Sequence, residues 1–167
     1  MTFNRPQENN FRRNDYRQDA PVPPPVPPPP DPALIRAIIV DGDPEKLVDL
    51  AETIGKTVAK QYLSTNQIRN VYGTVRQIQL RWDTNPGKSY REAVLLRPKI
   101  AYYAEKEKKA SRKKTTGMET LQVILEPAIR LLSEADLTDD QRKTRYNYFT
   151  DFFEAIVAYH RKYGGTE

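Results

Sequence analysis

A chain of 167 residues with a formal charge of +5, 38% hydrophobic and 29% charged residues has room for one modest core beneath a strongly charged surface. The absence of cysteine excludes a disulfide framework and any thiolate metal site. No apolar run approaches the roughly 18 residues of a membrane span, and the opening MTFNRPQENNFRRNDYR lacks the apolar stretch of a secretory signal, so a cytoplasmic location is expected.

Ten of the fourteen prolines lie at or before Pro32, so residues 1–32 read as a disordered proline-rich arm and residues 33–167 as the folded domain. Within the arm, Arg5, Arg12, Arg13 and Arg17 cancel Glu8, Asp15, Asp19 and Asp31, which leaves the positive excess to the domain. The run PVPPPVPPPPDP favours an extended polyproline helix without internal hydrogen bonds. It suits a solvated spacer or a ligand for an aromatic groove.

ALIRAIIV (33–40) is too short for its period to decide between helix and strand. In the following turn Asp43 is a good N-cap, Pro44 stands where a missing N–H is harmless, and Glu45 favours the positive helix end. A helix is expected to run to about Tyr62, burying Leu47, Leu50, Ala51, Ile54 and Val58. Asp41 and Asp43 do not make a calcium loop, because the later ligands and central glycine are missing.

The second helix starts near Ser64 or Thr65. Ile68, Val71, Tyr72, Val75, Ile78 and Trp82 recur every three or four residues and fill an arc of roughly 120°. Arg69 and Arg76 share a flank just outside that arc, separated by a rise of about 10 Å. Arg81 projects from the opposite side. Gly73 reads either as a site of close backbone approach or as a tolerated exposed glycine.

DTNPGK breaks the pattern, and Ser89 is expected to cap the next helix. The string PGKS (86–89) is not a phosphate-binding loop: Trp82 stands where the motif needs a glycine, and a helix rather than a strand leads in. Pro98 is expected to end or kink one helix and start another, with Arg97 and Lys99 beside the break. From Lys106 to Lys114 six basic residues face only Glu107, which reads as a mobile basic loop. Met118, Leu121, Leu125, Ala128 and Leu132 mark a further helix with a kink at Pro127. Thr138 and Gln141 form a capping box for a last helix that buries Tyr146, Phe149, Phe153, Ile156 and His160 and stops at Gly164 and Gly165. The fold class is therefore all-α, a compact bundle of about five helices behind the arm.

Little in this inventory supports catalysis. The single histidine cannot assemble a metal cluster, no nucleophile stands in a recognisable setting, and helix capping explains many of the acidic residues. No enzymatic activity, cofactor or metal is expected. Basic flanks and tyrosines point instead to binding, with a polyanion the favoured partner.

Three segments carry a family resemblance. STNQIRNVY (64–72) resembles the S/T-x-x-Q-I-R-x-x-Y segment of the small helical subunit of type III-A CRISPR effector complexes, the Csm complexes. LLRPKIAY (95–102) is similar to that family's L-L-x-P-K-L-A-Y segment, and FEAIVAYH (153–160) to its closing helix. The resemblance spans residues 60–167 and leaves the proline-rich arm without a counterpart. It implies a non-catalytic subunit stacked in several copies along the guide RNA and its paired target RNA, with cleavage assigned to neighbouring subunits. Partners would be those RNAs, other Csm subunits and further copies of the chain, with a homodimer possible in isolation. On this reading Arg69 and Arg76 contact phosphates, Arg97, Lys99 and Lys106 form a second basic edge, and Gln67 is a polar contact. For each, a solvated charge or a partner ion pair is the competing explanation. The rival functions are a helical protein–protein adaptor without an RNA role and a hydrolase built from scattered carboxylates.

Overall fold

The computed structural model of the chain describes residues 22–110 and 117–165, and these form six helices with no strand among them. Helix α1 (Pro32–Ile39) settles the ambiguous apolar segment. The Asp31 carboxylate accepts from Ala33 N at 2.9 Å, Pro32 opens the first turn, and Ile35, Ile38 and Ile39 are buried. Helix α2 (Pro44–Lys60) starts at the expected Asp43 cap and ends two residues before Tyr62, whose φ of 60° breaks the helical path. Helix α3 (Thr65–Arg81) and helix α6 (Asp139–Lys162) both open with complete capping boxes, Ser64 with Gln67 and Thr138 with Gln141. Helix α5 spans Gly117–Leu131 and carries Pro127 inside it.

Helix α4 departs most from the sequence reading. It runs unbroken over Pro86–Ala110, straight through Pro98. Proline in a helix interior removes one hydrogen bond and crowds the carbonyl four residues back, at about 3 kcal/mol. Here Pro98 faces solvent, while Ala93 and Leu96 before it and Ile100 and Ala104 after it are buried in the core. Burial of a Leu or Ile side chain contributes about 1.5–3 kcal/mol, so the anchors on either side outweigh the break. The helix also begins earlier than expected: Asn85 Oδ1 accepts from Lys88 N at 3.2 Å, and Ser89 is a buried interior residue rather than the cap. Of the expected basic loop, Lys106, Lys108 and Lys109 therefore lie on α4, and residues 111–116 fall outside the described residues.

The core is organised around α6, which α2 and α3 flank, while α4 packs along α5. Tyr146, Phe149, Phe152, Phe153 and Ile156 are all fully buried. Trp82 lies 4.8 Å from Tyr146 and Tyr72 lies 5.8 Å from Phe153, ring centre to ring centre, so aromatic contacts join α3 to α6 along their length. The Tyr146 hydroxyl donates to Val75 O at 3.0 Å, which satisfies the one polar atom of a fully buried ring. Helices α2 and α6 meet at Gly55, where an added Cβ would stand 2.5 Å from Tyr159 Cβ. His160 is a core residue, as expected. Its Nε2–H donates to Leu63 O at 2.7 Å while Nδ1 is buried without a partner among the described residues, and burial lowers the ring's pKa.

Residues 22–31 hold no regular helix or strand, in keeping with a proline run, yet they are not simply a solvated spacer. Buried Gln61 donates through Nε2 to the carbonyls of Pro24 and Pro25, at 3.1 and 3.0 Å. A proline run leaves its carbonyls without internal partners, so it can accept such bonds without giving up any of its own. Residues 1–21 of the expected disordered arm lie outside the described residues.

Candidate nucleic-acid interface

Continuity of α4 through Pro98 places Arg91, Leu95, Lys99, Tyr102, Lys106 and Lys109 on one exposed face. Their spacings of three and four keep them within an arc of about 80° over a rise of roughly 27 Å. Tyr102 stands 62% exposed between Lys99 and Lys106, and its neighbour Tyr103 lies 5.9 Å away, ring centre to ring centre. Two carboxylates border the face: Glu92, which Arg81 holds at 2.8 Å, and Glu105, which pairs with Lys109 at 3.3 Å. That pair is largely exposed on both sides, so a polyanion can displace it at little loss. Cations spaced along a helix with an exposed ring among them provide phosphate contacts and a stacking platform.

The expected site residues separate into three groups. Lys99 and Lys106 share the α4 face. Arg97 points away from it toward α5, donating to Glu126 Oε1 at 3.1 Å, and Arg130 holds the same carboxylate at 2.7 Å. These two arginines, Arg130 foremost, lower the Glu126 pKa. Arg97 is thus committed to joining two helices rather than to a common edge with Lys99. Gln67 is likewise engaged: its Oε1 accepts from Ser64 N at 3.0 Å in the capping box, and its Nε2 lies 3.4 Å from Glu107 Oε1.

Arg69 and Arg76 share a flank, as their spacing requires, but this flank faces α6. Arg69 borders a groove of about 600 Å³ with Tyr72, Glu154, Arg161 and Lys162. The Tyr72 hydroxyl donates to Glu154 at 2.7 Å, and burial, followed by this carboxylate, pushes its pKa up to about 12. Arg76 is half-buried, donates to Gln79 and lies in the field of Asp151. Burial, then repulsion from Glu154, raises the Asp151 pKa. This groove therefore carries both signs of charge, whereas the α4 face is dominated by cations.

Tyr102, Lys109 and Arg91 escape a reading of the sequence that stops the helix at Pro98. The signal is the three-and-four spacing itself, which becomes visible only when the register is carried across the proline. Glu107 is missed for a similar reason. It is the single acidic residue of the basic run, and it is buried, with Oε2 accepting from Met118 N at 3.1 Å at the start of α5. Among the described residues no helix is long and apolar enough to cross a membrane.

No curated protein and no solved structure matches the chain. Residues 41–166, from the turn before α2 to beyond the end of α6, match the model of the family described as Csm2 Type III-A. The match takes in α3, the α4 face and the closing helix together, and the chain belongs to the Csm2 Type III-A family, as a small subunit of the type III-A CRISPR Csm complex.

Proposed function

We propose that the chain is a non-catalytic, cytoplasmic subunit of the RNA-guided effector, stacked in several copies along the guide RNA and its paired target RNA in antiviral defence. The α4 face lies against sugar-phosphate, with Lys99, Lys106 and Lys109 as phosphate contacts and Tyr102 as a stacking surface. Guide pairing reads the target sequence, so the protein needs only to hold a backbone. Support comes above all from one observation: Arg91, Lys99, Lys106 and Lys109 of α4 are exposed and fall on a single helical face beside an exposed tyrosine, with Lys108 on the other side of the helix. Arg69 is a secondary phosphate contact at the mouth of the α3–α6 groove. Gln67, Arg76 and Arg97 act by holding local structure, as their hydrogen bonds suggest.

The adaptor reading draws on that same mixed-charge groove, where Arg69, Arg161 and Lys162 alternate with Glu154. Such a surface suits a protein neighbour. Both surfaces are used in one assembly on the reading proposed here.

Salt-dependent RNA binding tests the assignment. Replacing Lys99, Lys106 and Lys109 by Ala is expected to lower affinity for a single-stranded RNA and flatten its log–log salt slope by about 2, at about 0.7 per phosphate contact. Arg97→Ala is expected to leave the slope unchanged. A triple variant that keeps its helical content and its slope removes α4 from the RNA surface.

A further inference from the structure

Beside the α4 face, residues of α3, α4 and α5 line a half-open cavity of about 260 Å³. We infer that this cavity is a receptacle for one unstacked nucleobase, adenine being the best match, of an RNA strand lying along α4. The inference rests on the RNA-binding role proposed above and adds a base-selective site to it.

Size and lining define the ligand. The cavity is smaller than the roughly 300–1,000 Å³ of sites for drug-sized molecules, but it accommodates one flat heterocycle. Val71 and Met118, both nearly fully buried, make an apolar floor, and half-buried Tyr103 supplies an aromatic wall. Buried Glu107 and half-buried Gln67 complete the lining; a carboxylate repels a phosphate, and the apolar and aromatic walls favour a flat ring. At the rim stand Asn70 and Lys106, both exposed.

Position supplies the second argument. Lys106 belongs both to this rim and to the surface hollow with Tyr102 and Lys109. A strand tracked by Lys99, Lys106 and Lys109 therefore passes the opening with a phosphate already held at its edge. One base can turn inward there without the backbone leaving the helix face.

The polar group left at the opening sets the preference. Gln67 is used by its capping box and by Glu107, so among the described residues Asn70 is the lining carboxamide left to read a base edge. A carboxamide pairs its oxygen with the adenine 6-amino group and its nitrogen with the adjacent ring nitrogen. Uracil, with a carbonyl in place of that amino group, offers no such complement.

The test uses the full-length chain and three fluorescently labelled RNAs of equal length and charge: oligo(A), oligo(U) and a fully abasic ribose-phosphate oligomer. Oligo(A) is expected to bind about tenfold tighter than oligo(U), toward the low end for a bidentate carboxamide–adenine pair, and both tighter than the abasic oligomer, with all three sharing one salt slope. Asn70→Ala changes an exposed residue outside the core, and it should bring oligo(A) down to oligo(U) without altering abasic binding. Tyr102→Ala should weaken both base-bearing RNAs alike and preserve their ratio, because stacking on an exposed ring tolerates any base. If oligo(A), oligo(U) and the abasic oligomer bind equally with a normal salt slope, the base site is wrong and the backbone-binding role stands. An adenine preference that survives Asn70→Ala also overturns the site. Absence of salt-dependent binding to every RNA removes the underlying role and the site with it.

Discussion

Replacing Pro98 by alanine should stabilise the protein, and by a predictable amount. Alanine is favoured over proline in a helix interior by about 3 kcal/mol. Against this, proline restricts the unfolded chain and so contributes about 0.4–1 kcal/mol that alanine forfeits. Pro98 is exposed in the middle of α4, so its removal opens no cavity, and the new N–H can bond to the carbonyl of Val94. The net gain is about 2 kcal/mol. With an unfolding entropy near 2.1 cal/mol/K per residue for the helical domain, the midpoint should rise by about 7 °C. Differential scanning calorimetry or thermal circular dichroism of the two proteins measures it directly. A midpoint that is unchanged or lower would show that the two halves of α4 are not one continuous helix, and the alignment of Lys99 with Tyr102 and Lys106 would lose its basis.

Two further outcomes follow from the packing around α6. Gly55→Ala gains helix propensity, yet its Cβ would meet Tyr159 Cβ at 2.5 Å and His160 N at 2.8 Å. Separation of α2 from α6 should destabilise by about 1–3 kcal/mol, read as a lower urea midpoint; a midpoint that rises would mean that the two helices have slack there. For His160, burial holds the folded-state pKa below the ordinary 6.5. Above that value the ring is neutral in both states and stability is intact; as pH falls through it, the unfolded chain takes up a proton that the folded chain refuses. Stability should therefore decline below pH 6.5, with a slope of at most about 1.4 kcal/mol per pH unit for one group, and His160→Gln should flatten urea stability between that pH and the carboxylate range. A slope retained in the variant would assign the effect to other groups.

Much of the fold is legible from local pattern. The apolar series from Ile68 to Trp82 and from Tyr146 to His160 predict their buried faces, because helical period and burial are the same information. Caps at Asp43 and Thr138 locate helix starts to within a residue. Gln67 shows how one signature supports two roles. S-x-x-Q marks a capping box at Ser64 as clearly as T-x-x-Q does at Thr138, yet beside arginines it also reads as a polar contact. What the chain hides is pairing across distance. Glu126 stands 29 residues from Arg97, and Glu154 stands 82 residues from Tyr72. No local spacing reveals that the first removes Arg97 from a basic edge or that the second brings a carboxylate to the Arg69 flank. Pro98 misleads for a different reason. Its intrinsic preference is real, and it is overridden by Leu96 and Ile100, which pack on either side of it.

The bond from Gln61 to Pro24 and Pro25 has a practical reach beyond the arm itself. Six residue steps lead from Pro25 to Asp31, a reach of roughly 19 Å at about 3.1 Å per residue for an extended proline run. A fluorophore at Val22, two residues before Pro24, is held near the corner between α2 and α3 rather than at the mouth of α1. A label placed there reports on that corner.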